Sequence, residues 1–489
     1  MQVGQRLVAL VHEIHHDKAL HDEALYHDQA GHAARPVRRR RAVILRDRAA
    51  AGDAAAVVHL RQAGFENVAA DIVEIDVDAF WRGGLQRLER RAVLVIDRGI
   101  EEGFAAVIEA DPDFALAHSG IARAYQIMGK VPAARAAMAK ARALADGLPR
   151  KEAAHLHALS LLIDGKVPEA YRAIRAHVTE HPRDALIAQT CTSIYGLIGF
   201  SGQPGREAEL LAYTTSLAPH YGNDWWFLSQ HAFSLGETGQ TTRAAAMIDQ
   251  SLALNPRNAH AAHARAHVYY ETGETSAGVD FLERWLRDYA RTGLLHCHLS
   301  WHVALWALAQ SDADLLWRMI DSSVAPGAAL SPPLTVLTDS ASILYRAELA
   351  GLAVPTERWK AVSDYAKRYF PKPGLGFADL HAALAHAMAG DEEALEAIIQ
   401  DATGPAADLV RQFAEAYRAI ADQKWAEASR HLIPAMVDHA RIGGSRAQRD
   451  LLEYTLLGTL LKQGRDVEAQ RLLELRRPVQ AAARPIRGI

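Results

Sequence analysis

Cysteine is nearly absent from this sequence, since only Cys191 and Cys297 occur among its 489 residues. Two distant cysteines without a Cys-x-x-Cys motif do not make a disulfide framework, and they are typical of a protein kept in a reducing compartment. The sequence also lacks the apolar run of roughly 18 residues that a transmembrane helix needs, and the apolar region of a signal peptide. We therefore expect a cytoplasmic protein with no membrane partner.

An excess of charge of one sign is missing as well. The chain carries 54 basic and 58 acidic side chains, for a formal net charge of -4. A nearly balanced total gives no electrostatic reason to expect nucleic acid as a partner. The sequence contains neither a Gly-rich phosphate-binding loop nor a Gly-x-Ser-x-Gly elbow. Phosphate transfer and serine hydrolysis therefore lack their usual sequence markers.

The sequence does contain, at regular intervals, residues that typically begin and end helices. A residue-proline step that can open a helix recurs at Asp111-Pro112, His181-Pro182 and Asn255-Pro256. The separations, 182 − 112 = 70 and 256 − 182 = 74 residues, are each close to twice the roughly 34 residues of a tetratricopeptide unit. Glycine followed by alanine four or five positions later marks turns at Gly129, Gly165, Gly239 and Gly273. The sequence thus predicts an all-α fold, a tetratricopeptide-type superhelix (α-solenoid) of helical hairpins with degenerate repeats.

The domain organisation follows from where this repeat pattern begins and ends. Residues 1–97 are rich in histidine and arginine and show no repeat signal, so we expect an atypical N-terminal segment there. Such a segment is either disordered or the product of a mis-assigned start codon. Residues 98–480 are predicted to form the tetratricopeptide-like domain, and residues 481–489 a C-terminal tail.

Several strings between roughly residues 100 and 464 are more specific than a general repeat consensus. They include Cys297-His298-Leu299-Ser300-Trp301-His302, the stretch from Asp339 to Arg346, Phe377-Ala378-Asp379-Leu380-His381, and Gly443-Gly444-Ser445-Arg446-Ala447-Gln448-Arg449-Asp450. In these strings the chain resembles the tetratricopeptide repeat protein 38 family. The resemblance implies an all-helical array and brings no established reaction with it.

Two histidine pairs suggest a metal site in the middle of the chain. His263 and His267 lie four positions apart on one predicted helix, and His298 and His302 do so on the first helix of the next hairpin. Residues four apart share a helix face, so four imidazoles could hold zinc or another divalent transition metal. His263 and His302 lie at similar distances in sequence from the turns that follow their helices, so we expect these two side chains to face each other across the two helices. The alternatives are a polar ligand pocket without metal, or chance pairs among 24 histidines.

A second set of residues comes from the specific strings. Asp339 and Arg346 are two helical turns apart and therefore share a face. Charged groups of this kind either line a concave binding surface or form a buried ion-pair network between repeats. Trp301 could stack a flat ligand, although an aromatic residue at helical spacing usually belongs to the core. The candidate ligand-binding residues are Trp301, Asp339, Arg346, Asp379, His381, Arg449 and Asp450.

Two functions fit these patterns. The first is a repeat protein that binds a protein, a peptide or a small polar ligand in a central concave groove. The second is an enzyme whose histidine-rich pocket binds a metal ion and activates a bound water molecule. An open groove would favour the first function, and a closed pocket where the histidines converge would favour the second.

Overall fold

The computed structural model describes residues 100–475, all of which belong to one compact unit. The predicted N-terminal segment, residues 1–97, and the predicted tail, residues 481–489, lie outside the described residues. Between residues 100 and 475 the secondary structure is helical throughout, with no strand.

The first half of this range contains eleven of the helices, labelled here in chain order. They are α1 (Ile100–Ala110), α2 (Ala115–Ile127), α3 (Val131–Ala143), α4 (Arg150–Ile163), α5 (Val167–Glu180), α6 (Ala185–Thr192), α7 (Arg206–Tyr221), α8 (Trp225–Glu237), α9 (Thr241–Leu254), α10 (Ala259–Thr272) and α11 (Thr275–Leu286). Helix α6, with eight residues, is the shortest of these eleven.

The second half continues in the same manner. Its helices are α12 (His296–Ala309), α13 (Ala313–Met319), α14 (Pro333–Leu349), α15 (Thr356–Tyr369), α16 (Gly376–Ala389), α17 (Glu392–Asp401), α18 (Ala407–Ala421), α19 (Trp425–Met436), α20 (Arg446–Lys462) and α21 (Asp466–Leu475). A π-helical turn, Ile320–Val324, extends α13, and a 3₁₀ turn, His439–Ile442, precedes α20.

These helices pack as consecutive hairpins, which confirms the predicted fold class. Each pair joined by a short turn packs together, as α2 does with α3, α8 with α9 and α18 with α19. The first helix of one hairpin also packs against the first helix of the next, from α12 through α14 and α16 to α18. Stacking of this kind buries a continuous core between successive repeats.

Residues with a left-handed backbone conformation form the tight turns of these hairpins. The four predicted turn glycines have φ between 71° and 83°, and Gly273 ends α10 by donating its N–H to the Tyr269 carbonyl. Glycine takes this conformation without the steric cost that a Cβ brings. Ser311 and Gln423 occupy the same left-handed region, with φ of 61° and 59°. Because these residues replace glycine in their turns, the glycine pattern of the repeat is incomplete in the second half of the chain.

Helix α20 packs back against the middle of the array. It contacts α10 and α14 in addition to its sequence neighbours α19 and α21. Around its start, Arg206 of α7 donates to the carbonyl oxygens of Ala440 and Gly444, and the amide of Arg446 donates to Glu237 at the end of α8. The face of α14 that carries Arg346 reaches α20, because Arg346 donates to the Ala447 carbonyl over 2.6 Å. The chain's own helix therefore covers this face of the array.

Candidate metal centre

Contacts near their N-terminal ends position the two helices that hold the four histidines. Helix α10 begins after Asn258, whose side chain accepts from the amides of His260 and Ala261. Helix α12 is tied near its start to the following hairpin, because the Cys297 amide donates to the Ser331 hydroxyl over 3.1 Å. Such contacts fix the rotation of a helix about its axis, and with it the direction of its side chains.

The four imidazoles converge at the face between α10 and α12. The exposed fractions of His263, His267, His298 and His302 are 8%, 3%, 2% and 0%. One ligand atom from each residue lies within 4.8 Å of the ligand atoms of the other three. Nε2 of His263 and Nε2 of His267 are at hydrogen-bond distance, 2.9 Å apart. The structure thus brings together all four histidines that the sequence singled out.

The pairing across the two helices differs from the predicted register. The ring centroids of His263 and His298 are 4.8 Å apart, as are those of His267 and His302. The rings of His263 and His302, which were predicted to be level, are 5.5 Å apart. Packed helices cross at an angle, so the distance of a residue from the following turn does not fix its neighbour on the next helix.

Two of the imidazoles have a buried carboxylate behind them. Nδ1 of His298 lies 2.8 Å from Oδ2 of Asp339, and Nδ1 of His267 lies 3.4 Å from Oε1 of Glu237. The Asp339 carboxylate accepts from Nδ1 of His298, which leaves the Nε2 lone pair of that ring free to bind a metal ion. The longer contact with Glu237 places a negative charge beside the His267 ring. Metal-binding histidines usually have such a partner on the opposite ring nitrogen.

The electrostatics of the cluster favour neutral imidazoles. Burial, reinforced by the neighbouring histidines, holds the pKa of His263 and of His302 well below its usual value. A neutral ring is the form that binds a metal ion. Within the part of the chain that the structure describes, neither ring nitrogen of His302 has a hydrogen-bond partner, although the residue is fully buried.

Two nearby groups complete the electrostatic environment. Burial by itself raises the pKa of Glu237, but His267, Arg449 and the Arg446 amide outweigh it and lower that pKa to about 2. Cys297 differs, since burial and the nearby Asp339 carboxylate raise the pKa of its thiol well above the usual value. Only the thiolate is a good metal ligand, so Cys297 is not a natural fifth member of the cluster.

Three of the predicted ligand-binding residues border the histidine cluster. Asp339 bonds His298, and the Trp301 ring stacks on the His298 ring at 5.0 Å with an angle of 12° between the planes. The Arg346 guanidinium lies over the Trp301 ring, 6.0 Å from its centroid. These side chains form a second layer around the imidazoles.

The other four predicted residues bond elsewhere. Asp379 accepts from the Gly374 amide, and burial raises its pKa to about 7. His381 lies 2.7 Å from the Phe377 carbonyl oxygen through Nδ1, and burial lowers its pKa to about 4. The remaining two tie α20 to distant helices, since Arg449 bonds Glu207 and Asp450 accepts from the Tyr270 hydroxyl.

Sequence reasoning missed Glu237 and Tyr195. Glu237 belongs to the string Glu-Thr-Gly, which recurs at Glu271-Thr272-Gly273, so two equivalent buried carboxylates in successive repeats were a usable signal. Tyr195 accepts from the Gln448 side chain over 2.6 Å, and its ring centroid is 6.4 Å from that of His298. No pattern in the sequence marks this tyrosine, because its partners come from distant repeats.

A second histidine cluster was also missed. Nδ1 of His155 and Nε2 of His177 each lie 2.8 Å from Oδ2 of Asp184, and all three residues are buried. Asp184 also caps α6 by accepting from the Ile187 amide. These are hydrogen-bond distances, so the carboxylate already serves both rings. Buried histidine groups able to hold a metal ion therefore occur at two places in the described residues.

Two solved structures resemble the chain at low sequence identity. No family model matches the chain. The solved human IFIT1 dimer with PPP-AAAA is 17% identical, with a TM-score of 0.40 over 85% of this chain and 92% of that one. The TPR domain of P58(IPK) is also 17% identical, with a TM-score of 0.19 over 82% of this chain and 99% of that one.

These scores are too low to carry an argument about function. The tetratricopeptide-like class rests on the helical hairpins themselves, and membership of the tetratricopeptide repeat protein 38 family stays a prediction. Among the described residues, no helix is long and apolar enough to cross a membrane.

Proposed function

We propose that this protein is a helical repeat protein that binds a divalent transition metal ion, with zinc as the best fit, at His263, His267, His298 and His302. Repeat arrays of this class generally serve to bind proteins or other ligands. The observation that carries the proposal is the convergence of four buried imidazole nitrogens within 4.8 Å of one another. His302 supports it further, because within the described residues neither of its buried ring nitrogens has a hydrogen-bond partner, and leaving such atoms unsatisfied is costly.

The dimensions of the cluster support zinc. In a tetrahedral site with Zn–N bonds of about 2.05 Å, the ligand nitrogens are about 3.3 Å apart. The ligand nitrogens of the cluster all lie within 4.8 Å of one another, and those of His263 and His267 are 2.9 Å apart, so small side-chain movements would reach this value. Asp339 and Glu237 would orient His298 and His267 and raise their basicity.

A closed centre follows from four protein ligands. Zinc with four protein ligands is typically structural, whereas a catalytic zinc keeps one position for water or substrate. We therefore propose that the ion fastens α10 to α12 and shapes the surrounding binding centre. The enzyme alternative requires water to replace one of the four histidines.

The ligand-binding role of the second set of residues is also part of this proposal. Trp301, Asp339 and Arg346 border the histidines and would form the wall of a small-ligand site. Asp379, His381, Arg449 and Asp450 would support that wall from α16 and α20. An open groove for a peptide is less well supported, because α20 packs on α10 and α14.

Metal analysis of the purified protein tests the proposal. Wild-type protein equilibrated with zinc and then desalted should retain about one ion per chain, and the double variant His298→Ala, His302→Ala should retain essentially none. His231→Ala is the matched control, because His231 is buried on α8 and lies 2.9 Å from the Thr214 hydroxyl, outside both histidine clusters. Equal retention in the wild type and the double variant, or none in the wild type, would refute the metal centre.

A further inference from the structure

Arg346 is a buried cation without an acidic partner. Only 2% of its surface is exposed, and within residues 100–475 its guanidinium makes no ion pair with a carboxylate. Its one hydrogen bond runs from Nη2 to the Ala447 carbonyl, and its Nε has no partner. Burying a charged group is costly unless an opposite charge and further hydrogen bonds compensate.

The other buried arginines near α20 show how such compensation is achieved. Arg206 donates to two backbone carbonyls and lies 3.6 Å from the Glu207 carboxylate. Arg449 bonds the same carboxylate and the Gly444 carbonyl. Both guanidiniums therefore have an anion, and Arg346 differs from them in having none.

A second unsatisfied donor lies beside Arg346. The indole Nε1 of Trp301 is buried and has no hydrogen-bond partner among residues 100–475, and the Arg346 guanidinium lies over the same ring. Both groups can only donate hydrogen bonds. A ligand that meets two donors, one of them cationic, has to offer acceptor atoms and negative charge.

We propose that Arg346 and Trp301 form a subsite for an oxyanion, the carboxylate or phosphate group of a small ligand. The planar guanidinium fork matches two oxygens of such a group, and the indole N–H supplies a further donor. The subsite deepens the proposed function by naming the ligand class of the central site. It does not need the metal ion, because neither donor belongs to the histidine cluster.

A purely structural role for Arg346 is the competing explanation. The guanidinium lies between two aromatic rings, 6.0 Å from the Trp301 centroid and 5.1 Å from that of Tyr454 on α20. Cation–π contacts of this kind stabilise a buried cation. They leave the Nε donor and the charge uncompensated by an anion, and a structural arginine would not respond to added phosphate or acetate.

Calorimetric titration of the full-length protein with sodium phosphate and with sodium acetate tests the subsite. Wild-type protein should bind at least one probe saturably, and the tighter probe identifies phosphate or carboxylate as the ligand group. Arg346→Gln should weaken binding at least tenfold, and Trp301→Phe several-fold, because each removes a donor. Arg411→Gln is the matched control and should bind as the wild type does, because Arg411 also bonds only carbonyls, those of Ile399 and Ala402.

The possible outcomes separate the subsite from the metal centre. Titration of chelator-treated protein measures the subsite without the metal ion, and Arg346→Gln should weaken anion binding there as well, so a failure to bind zinc would leave the subsite intact. If Arg346→Gln does not fold, Arg346→Lys keeps the charge and loses the fork of donors, and it should still weaken binding. Absence of saturable binding to the wild type, or undiminished binding to the folded Arg346 variant, would overturn the subsite.

Discussion

Asp339 shows how one residue can decide whether the histidine cluster binds metal. Its Oδ2 accepts from Nδ1 of His298, which fixes the ring and directs Nε2 toward the other histidines. Asp339→Asn removes the charge with little change in shape. We expect the variant to bind zinc about 10 to 100 times more weakly, which is the usual effect of removing such a partner. Competition with a chromogenic chelator measures this affinity.

The control for this prediction is an aspartate whose partner is an arginine and not a histidine of the cluster. Asp321 pairs with Arg358 at the surface, so Asp321→Asn should leave the zinc affinity unchanged. If Asp339→Asn lowered the melting temperature but bound zinc as tightly as the wild type, the Asp339–His298 bond would be structural only.

Among the helices, the contacts of Asp184 join three successive elements. It caps α6, and its Oδ2 bonds His155 of α4 and His177 of α5. Burial alone raises the pKa of this carboxyl, but the two histidines outweigh burial and hold the pKa far below its usual value. A depressed carboxyl pKa stabilises the fold above its unfolded value of about 3.9, and this contribution is lost as the pH falls further.

We therefore expect Asp184→Asn to lower the free energy of unfolding by about 3 to 5 kcal/mol at pH 7, since it breaks a buried charged network. The difference in the free energy of unfolding between the variant and the wild type should become smaller as the pH falls below about 4. Urea unfolding at several pH values measures both effects. Asp312→Asn is the control, because Asp312 caps α13 without a histidine partner and should cost less than about 0.5 kcal/mol. A gap that does not depend on pH would contradict this explanation.

The sequence predicts these elements well because their determinants are local. The Gly129 and Gly273 turns need only a left-handed residue, and the spacing of His263 and His267 needs only one helix. The convergence of the two histidine pairs was also predictable, since it follows from neighbouring hairpins. The pairing across α10 and α12 was not, because it depends on the angle at which these helices cross. The contact of Glu237 with the Arg446 amide was not predictable either, because it depends on the position of α20.

At the scale of the whole molecule, the return of α20 to the middle of the array was not predictable. Its contacts join residues that are far apart in the sequence, such as Arg206 with Gly444 and Tyr270 with Asp450. No periodicity encodes a contact of this kind, because each partner looks like an ordinary polar residue within its own repeat. The consequence is that α20 covers part of α10, which carries two of the central histidines, and part of α14, which carries Asp339.

Glu237 connects this closure to the proposed metal centre. Its Oε1 lies 3.4 Å from Nδ1 of His267, and its Oε2 accepts from the Arg446 amide at the start of α20. Because one carboxylate serves both partners, binding of zinc and docking of α20 should favour each other. We expect zinc to slow amide hydrogen exchange in α20 of the wild type by roughly 5- to 150-fold, the usual range of such coupling. Glu237→Gln should reduce this effect, because the neutral amide holds both partners less strongly.

The amides of α3 serve as the internal control, since α3 contacts neither the cluster nor α20 and should exchange at the same rate with and without zinc. Zinc binding that left exchange in α20 unchanged would show that the last hairpin closes independently of the metal.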